Sequence, residues 1–499
     1  MPRYFIGIDV STTASKALVI DEQGAVVATS SHAHDLSTPR PLWSEQDPRQ
    51  WCDASAAALR DVLKIVSADD IAAIGLTGQM HGLTALDKHG EPLRPAILWN
   101  DNRTGAECEA ITEAVGAARL YQIMGSIMVP GFTAPKIMWV RNHEPEVFSQ
   151  IAHVLLPKDY VRYKLSGAFV CDVADGSGFA MMDNGKRTWS DELVSVIGLP
   201  KSALPELCEC PEVSAYVSEA GAAATGLKVG TPIVGGAGDQ PAGMVGMGVV
   251  EEGMASLAMG TSGVSHAINK RYAPEPDGRL HTFCGPMPDT WFHMGVMLSA
   301  AGSFRWLHDE FLTGKSYDEI NDMAAGVPAG SLGLLFAPYL SGERNPHPDP
   351  YARGAYVGFT LRHGMAHMIR ATMEGISFGM RDLFELLRSL GVNPAEAVIS
   401  GGAVNSPVWR QLTTDIMGIP LYTINTSEGS ALGAAILAAV GAGAYADVPA
   451  ACRAMVRRVE TIQPDANGAA TYEALYPSFR EVYPALRPTF HSLARFEGA

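Results

Sequence analysis

The chain has 499 residues, and its 37 Lys and Arg against 53 Asp and Glu give a formal net charge of −16. Its 47% hydrophobic and 18% charged residues exclude intrinsic disorder, which needs low hydrophobicity and high charge density. The acidic balance also argues against a nucleic-acid surface, which requires clustered Lys and Arg. Length and composition together indicate a globular protein of about two domains.

Three features of the sequence bear on its compartment. The first residues, MPRYFIGIDV, run directly into a strand pattern and lack the basic and apolar regions of a secretory signal. The longest nearly apolar stretch, residues 431–444, falls short of the roughly 20 residues that cross a bilayer. The seven scattered cysteines are typical of free thiols in a reducing compartment. We therefore expect a cytoplasmic protein without a membrane span.

The first half of the chain alternates strand-like and helical segments. An antiparallel meander is predicted from three short β-branched runs, at residues 4–9, 16–21 and 25–30. Apolar spacing then predicts a helix, a strand and a second helix, at residues 47–67, 71–77 and 102–115. This alternation indicates a layered α/β domain.

The same organisation recurs past the middle of the chain. Short strands are predicted at residues 253–257, 264–269 and 291–294, and later helices at 366–390, 408–417 and 432–440. Two halves that each open on a strand hairpin suggest two similar domains that face one another. We predict an N-terminal domain over residues 1–245 and a C-terminal domain over residues 246–499.

The turn of each opening hairpin is a candidate phosphate site. In the first turn, Asp9 can anchor Mg²⁺, and the hydroxyls and ammonium group of Thr12, Thr13 and Lys16 can bind phosphate oxygens. An ordinary Ser/Thr-rich hairpin would explain the same residues. The second turn, residues 259–263, offers glycine backbone and two more hydroxyls. One such turn in each half favours a polyphosphate between them, although neither turn matches the P-loop pattern.

A single carboxylate, Asp239, follows an apolar strand and a run of glycines at residues 233–238. Because the glycines remove bulk around it, we expect a ligand there. Asp239 can accept a proton from a substrate hydroxyl, and Gln240 can hydrogen-bond a polyol. The alternative is that Asp239 only caps the helix that follows.

Three further segments favour a binding cleft. Gln79, Met80 and His81 follow the strand predicted at 71–77, and ligands bind at the carboxyl ends of strands in α/β domains. Residues 99–103, WNDNR, combine an aromatic with polar side chains, which suits a sugar, although Asp101 can instead cap a helix. The Gly-Gly junction in residues 400–406 leaves backbone open to a nucleotide.

In this order the segments resemble the FGGY family of carbohydrate kinases over nearly the whole chain. The most specific stretches are GQMHG at 78–82, LRPAILWNDNR at 93–103, PGFTAPKIMW at 130–139, APYLSGERNP at 337–346 and GGAVNSPVW at 401–409. Residues 131–143 also fit the first signature of that family, with Lys136, Trp139 and Asn142 at its fixed positions.

The resemblance implies an α/β protein of two ribonuclease-H-like domains, of the actin and hexokinase superfamily, with ATP and sugar in the cleft between them. It implies transfer of phosphate to a ketopentose, D-xylulose above all, with Asp239 as the base for the 5-hydroxyl group. The expected oligomer is a homodimer. The implied sugar ligands are Gln79, Met80, His81, Trp99, Asp101, Asp239 and Gln240. Asp9 would hold Mg²⁺, and the implied ATP ligands are Thr12, Thr13, Lys16, Gly260, Thr261, Gly302, Gly402, Asn405 and Ser406.

Two residues depart from the family pattern. Ser11 stands where a glycine usually follows the first Asp, and Gln240 stands where members specific for D-xylulose often carry Asn. The alternatives that remain open are a kinase of the same family for ribulose, gluconate or glycerol, and a non-enzymatic actin-like ATPase.

Overall fold

The computed structural model of the chain describes residues 3–425 and 428–496. In the first half the strands are β1 (Tyr4–Val10), β2 (Ala14–Ile20), β3 (Val26–Ala33), β4 (Glu45–Gln46), β5 (Ile71–Gly78), β6 (Thr84–Leu86), β7 (Ala96–Ile97), β8 (His153–Leu155), β9 (Val170–Asp172), β10 (Met182–Asp183), β11 (Thr188–Trp189), β12 (Glu206–Cys208), β13 (Val213–Tyr216), β14 (Pro232–Val234) and β15 (Ala237–Gly238). The helices are α1 (Pro48–Val62), α2 (Gly105–Val115), α3 (Ala117–Met124), α4 (Thr133–His143), α5 (Pro145–Phe148), α6 (Pro157–Ser166), α7 (Val173–Gly176), α8 (Asp191–Ile197), α9 (Glu219–Thr225) and α10 (Asp239–Gly246).

The second half has fewer strands and longer helices. Its strands are β16 (Ala255–Met259), β17 (Gly263–Asn269), β18 (His281–Cys284), β19 (Trp291–Met297), β20 (Leu335–Pro338), β21 (Gly354–Val357), β22 (Ala397–Gly401), β23 (Leu421–Ile424) and β24 (Arg458–Ile462). Its helices are α11 (Ala301–Phe311), α12 (Tyr317–Ala325), α13 (Met365–Ser389), α14 (Pro407–Met417), α15 (Gly429–Gly441), α16 (Val448–Met455) and α17 (Ala466–Leu493).

Each half is built on a seven-stranded mixed sheet. The first has the order β13-β14-β5-β1-β2-β3, with β15 also paired to β5. The second has the order β18-β19-β17-β16-β22-β23-β24. In both, an antiparallel hairpin (β1–β2 or β16–β17) is joined in parallel to a later strand, β5 or β22. The predicted α/β class and the two sheet-based domains are confirmed.

The predicted elements of the hairpins and helices are present with shifted ends. The helix predicted at 47–67 is α1, which begins after the Asp47 cap with Pro48 in its first turn and ends at Val62. The apolar stretch at 431–444 forms most of α15, a buried helix. Among the described residues no helix is both long and apolar enough to span a membrane. All seven cysteines are free.

Helix α15 packs on the sheet of the first half although it lies late in the chain. It contacts β1, β5 and α10. At two glycines of the sheet its backbone comes too close for any side chain to fit. A methyl group at Gly7 or Gly75 would overlap the carbonyl of Ala431 or Ala434. The structure therefore ties α10, which begins at Asp239, to the core of the first sheet.

Candidate active site

The predicted residues of the first half lie at one edge of its sheet. Strands β1, β5 and β15 are parallel neighbours and end side by side. Asp9 lies at the end of β1, Met80 and His81 follow β5, and Asp239 follows β15. A side chain at Gly238 would collide with Met80, so this close approach requires glycine. The carboxylates of Asp9 and Asp239 and the turn at residues 79–82 therefore lie together at the carboxyl edge of the first sheet.

The second sheet has a matching edge, at the ends of its parallel strands β16 and β22. Gly260 and Thr261 follow β16, and Gly402 follows β22. The Gly302 backbone N–H donates to the Thr261 carbonyl at 3.0 Å, so Gly302 lies against this turn. Four residues predicted to bind ATP are therefore grouped at the edge of the second sheet.

A small cavity of about 120 Å³ lies between the two halves. The first half contributes Met80, His81, Trp99, Val129, Gly131, Phe132, Asp239 and Gln240 to its wall. The second half contributes Ser262, Val264, His281, Met294, Val296 and Arg344. This mixture of apolar walls and a few convergent polar groups is typical of a site for a small polar ligand.

A larger cavity of about 670 Å³ adjoins the first. Its wall includes Gly402 and Asn405, which were predicted to bind the nucleoside, and also Gly401, Val404 and Ile424. Asp239 and Gln240 belong to the walls of both cavities. A group held by Asp239 in the small cavity therefore faces the space of the larger one.

Asp239 has the electrostatic properties of a general base. Burial and the negative charge of Asp9 raise its pKa to about 7. Gln240 donates to Asp239 Oδ1 at 3.3 Å, which keeps one oxygen oriented. A carboxylate whose pKa lies near the working pH is a more effective base than an exposed aspartate.

A chain of hydrogen bonds links Asp239 to the second sheet. Ser256 Oγ lies 3.0 Å from His266 Nδ1, and His266 Nε2 lies 3.2 Å from Gln240 Oε1. Since the amide oxygen of Gln240 can only accept, His266 Nε2 carries the hydrogen and Nδ1 accepts from Ser256. Burial lowers the pKa of His266 to about 3, so the imidazole is neutral at physiological pH. Its role is to orient Gln240.

His81 is held in an uncommon backbone conformation, with φ at 66°. Its carbonyl accepts from Lys136 Nζ at 2.8 Å and from Thr133 Oγ1 at 3.1 Å. Lys136 also donates to the Gly131 carbonyl at 2.6 Å, and burial lowers the pKa of its ammonium group to about 7. The lysine of the family signature thus fixes two segments of the cavity wall.

Asp9 is suited to a divalent cation. Its Oδ2 accepts from Ser430 Oγ at 2.6 Å, while Oδ1 is buried and has no hydrogen-bond partner within residues 3–425 and 428–496. Burial raises the pKa of Asp9, and the negative charge of Glu428 adds to that shift. A cation bound there would satisfy the free oxygen and offset the repulsion between Asp9 and Asp239.

Gln79 and Thr12 belong to a hydrogen-bonded row that ends at Trp99. Trp99 Nε1 donates to Thr12 Oγ1 at 3.0 Å, and Thr12 Oγ1 donates to Gln79 Oε1 at 3.4 Å. Gln79 Nε2 donates to Gln46, and Gln79 is buried outside the lining of the small cavity. The row positions the indole of Trp99, which does line the cavity.

Asp101 is fully buried and lies outside the walls of both cavities. Its carboxylate accepts from the Ser44 backbone N–H at 2.7 Å and from Arg103 Nη2 at 2.6 Å. The Arg103 guanidinium in turn stacks on Trp43, 3.6 Å from the ring centroid. These contacts stabilise the loop that carries Trp99.

The remaining predicted ATP ligands are spread around the cleft. Lys16 Nζ forms an ion pair with Glu428 at 3.1 Å, and Thr13 is exposed. Ser406 lies buried outside the lining of the larger cavity, where it caps α14 and donates to Asn321 Oδ1 at 2.7 Å. The structure therefore brings Asn405 and Gly402 to the cavity wall, while Ser406 supports the helix behind them.

A fully buried charge cluster supports the loop before Asp239. Lys158 Nζ lies 2.6 Å from both Asp159 Oδ1 and Asp172 Oδ2, and Arg162 donates to the Gly235 carbonyl. Burial of so many charges is tolerated because each is paired within the cluster. Lys158 and Asp159 therefore support the site from beneath it.

The sequence interpretation missed several polar residues that reach the two cavities from the second half, among them Arg344, His266 and His281. Arg344 belongs to the APYLSGERNP stretch, which was noted for its resemblance only. His266 and His281 lie on strands, where an isolated histidine resembles an ordinary core residue. Their roles depend on contacts with residues far away in the chain, such as His266 with Gln240.

Comparison with known proteins gives the family. The model of the FGGY carbohydrate kinase N-terminal domain matches residues 4–246, and that of the C-terminal domain matches residues 255–442. The chain belongs to the FGGY family of carbohydrate kinases. FGGY kinases use ATP to phosphorylate carbohydrates, so the present chain is an ATP-dependent carbohydrate kinase.

Individual FGGY kinases resemble the chain over nearly its whole length. The xylulose kinase of Escherichia coli is 39% identical over 97% of this chain and 99% of its own. The crystal structure of xylulose kinase from Rhodospirillum rubrum is 31% identical, with a TM-score of 0.92 over 98% of this chain and all of that one. That of gluconate kinase from Lactobacillus acidophilus is 28% identical, with a TM-score of 0.94 over 99% of this chain and all of that one.

Proposed function

We propose that this FGGY kinase transfers the γ-phosphoryl group of ATP to the 5-hydroxyl group of D-xylulose. The observation that carries the proposal is the position of Asp239 and Gln240 in the common wall of the two cavities. The small cavity suits a pentose, and the larger one opens on the glycine-rich edge of the second sheet. The relatives named xylulose kinases support the choice of sugar.

In the proposed reaction Asp239 removes the proton of the sugar hydroxyl as the sugar oxygen attacks the γ-phosphorus atom, and the bond from that phosphorus to the β–γ bridging oxygen breaks to release ADP. Phosphoryl transfer requires little covalent chemistry from the protein and depends on positioning and charge neutralisation. Gln240, oriented by His266, holds the carboxylate. Mg²⁺ bound at Asp9 would neutralise charge on the transferred group. The hydroxyls and backbone N–H groups of both hairpin turns would bind the phosphate oxygens.

The predicted ligands divide between the two substrates. We assign the sugar to Met80, His81, Trp99, Asp239 and Gln240, with Gln79 and Asp101 in support. We assign the phosphates to Thr12, Thr13, Lys16, Gly260 and Thr261, and the nucleoside end to Gly402 and Asn405 with Gly302 and Ser406 behind them. The proposed domain boundary is between residues 245 and 246. Helix α15 lies after this boundary in the sequence but packs on the first sheet.

We also propose a cytoplasmic homodimer. Seven free thiols support a reducing compartment. Val357, the last residue of β21, and Phe359 and Leu361 after it expose apolar side chains that offer a surface for a second copy. Light scattering on the eluted protein would test the dimer, and a mass of one chain would contradict it.

Gluconate is the second candidate substrate. The guanidinium of Arg344 faces the small cavity, and a carboxylate is the partner that arginine prefers. One of the matched structures is named a gluconate kinase. Gluconate and D-xylulose differ at the end of the chain that lies away from the phosphorylated hydroxyl, so substrate preference separates the two candidates.

A coupled assay of ADP release with a panel of sugars tests the proposal. We expect the highest kcat/KM with D-xylulose, and lower values with D-ribulose, D-gluconate and glycerol. A higher kcat/KM with gluconate would favour the second candidate. ADP release that does not respond to any sugar would instead indicate an actin-like ATPase.

A further inference from the structure

Arg344 is a partly buried cation that has no side-chain hydrogen bond or ion pair among residues 3–425 and 428–496. Burial lowers its pKa, while Glu343 acts in the opposite direction. A guanidinium offers five N–H donors and accepts none, so burying it without an acceptor costs free energy. Arg344 lines the small cavity.

The loop that carries Arg344 is rigidly attached to β19. Glu343 Oε1 accepts from the Leu298 backbone N–H at 2.9 Å, and Asn345 Oδ1 accepts from the Val296 backbone N–H at 2.8 Å. The residues on both sides of Arg344 are therefore fixed to the strand end that forms the cavity wall. An arginine held in this way is preorganised to donate to a ligand.

Two imidazoles in the same wall complement Arg344 as acceptors. His81 Nδ1 lies 3.1 Å from the Gly178 carbonyl, which only accepts, so Nδ1 carries the hydrogen and Nε2 is left as an acceptor. His281 Nδ1 lies 2.7 Å from Ser126 Oγ, whose own hydrogen is donated to the Ile127 carbonyl. The cavity therefore presents one strong donor beside two acceptors.

Arg344 and the two imidazoles line the same cavity, and the charge of Arg344 acts on both. Burial lowers the pKa of His81 and His281 to about 3, and the charge of Arg344 is a smaller contribution to both shifts. The side chains that shift the pKa of Asp239 are Asp9 and Gln240. A ligand in the cavity can therefore contact the guanidinium and both imidazoles.

We propose that Arg344 donates hydrogen bonds to the carbonyl oxygen at C2 of an open-chain ketose. This inference rests on the proposed function, since a ketopentose with its 5-hydroxyl group at Asp239 extends its C1–C2 end away from the base. A carbonyl oxygen only accepts, which matches a guanidinium, whereas the hydroxyls at C1 and C3 can donate to the Nε2 atoms of His81 and His281. Arg344 is thus the residue that distinguishes a ketose from a polyol.

The experiment compares D-xylulose with the two pentitols produced by reduction at C2, xylitol and D-arabinitol. These polyols keep C3, C4 and the 5-hydroxyl group but lack the carbonyl. We expect Arg344→Gln to lower kcat/KM for D-xylulose by roughly 10- to 100-fold, the effect of losing a charge-assisted hydrogen bond. The same variant should change kcat/KM for either pentitol by less than about threefold. Arg344→Lys keeps the positive charge but loses the planar set of N–H donors, so its kcat/KM for D-xylulose should lie between those of the unaltered enzyme and Arg344→Gln.

Controls separate a specific effect from misfolding and from failure of the proposed function. The KM for ATP and the thermal midpoint of Arg344→Gln should stay close to those of the unaltered enzyme. Arg453→Gln, which removes an exposed arginine paired with Glu251, should leave all rates unchanged. Equal losses with D-xylulose and with the pentitols would overturn the assignment of Arg344. An unaltered enzyme that ignores D-xylulose would instead overturn the proposed function.

Discussion

At the scale of single residues, the imidazole of His266 joins the second sheet to the proposed base. It accepts from Ser256 and donates to Gln240, which donates to Asp239. The direction of these bonds is fixed because the Gln240 amide oxygen can only accept. His266 therefore acts through Gln240, and its effect should appear in the rate of the chemical step more than in sugar affinity.

We predict that His266→Ala lowers kcat roughly tenfold with a much smaller change in the KM for the sugar. Glutamine at this position can accept from Ser256 and donate to Gln240, so His266→Gln should recover a substantial part of the lost kcat. Steady-state kinetics on the three proteins measures both effects. A purely structural role for His266 would be indicated if the alanine and glutamine variants had the same kcat.

Single residues also mark the limit of what the sequence reveals. The positions of Met80, His81 and Asp239 at the sheet edge could be predicted because each follows a strand beside glycines, and that of Asp9 because it ends the first strand; these are local signals. Arg344 could not be predicted, because what distinguishes it is the lack of a side-chain partner within the described part of the chain, in a cavity whose other walls come from distant segments.

At the scale of elements, the packing of α15 against α10 determines where the proposed base lies. Gly433 of α15 approaches α10 so closely that an added methyl group would overlap the Ala242 carbonyl. A methyl group added at Gly246 would likewise overlap the Gly429 carbonyl. Because α10 begins at Asp239, any shift of this helix pair moves the carboxylate.

We predict that Gly433→Ala lowers the thermal midpoint and kcat together, because overpacking of this contact costs about 1–3 kcal/mol. Gly105→Ala is the matched control. Gly105 begins α2, where an added methyl group meets no described atom within 4 Å, and alanine favours the helix. Calorimetric scans and kinetics on both variants make the comparison. Similar thermal midpoints and rates for the two would contradict close packing of α15 on α10.

The same elements show why secondary structure can be predicted from the sequence more completely than the packing between distant segments. The hairpins β1–β2 and β16–β17 are recognisable from their alternating apolar residues and short turns, and the apolar content of α15 indicates a buried helix. The position of α15 on the first sheet, by contrast, depends on pairing between segments more than 350 residues apart in sequence, such as Gly7 and Ala431. Local periodicity carries no information about such pairs.

At the scale of the whole molecule, two sheets of similar design present their carboxyl edges to a common cleft. The first edge supplies Asp9, His81 and Asp239, and the second supplies the glycine-rich backbone of residues 260–261 and 401–402. An acidic protein that binds ATP would thereby need few basic side chains near the phosphates, since the proposed site offers backbone N–H groups, hydroxyls and the proposed cation ligand Asp9. Asp239 lies where the two cavities meet.

The most direct test of this account is the turnover of Asp239→Asn, measured together with its binding of each substrate. Asparagine keeps the size of the side chain but cannot accept the proton. We predict that kcat with D-xylulose falls by at least about 100-fold. Titration calorimetry should still detect D-xylulose and ATP with affinities close to those of the unaltered enzyme. A variant that kept more than about a tenth of the original kcat would contradict the assignment of Asp239 as the base.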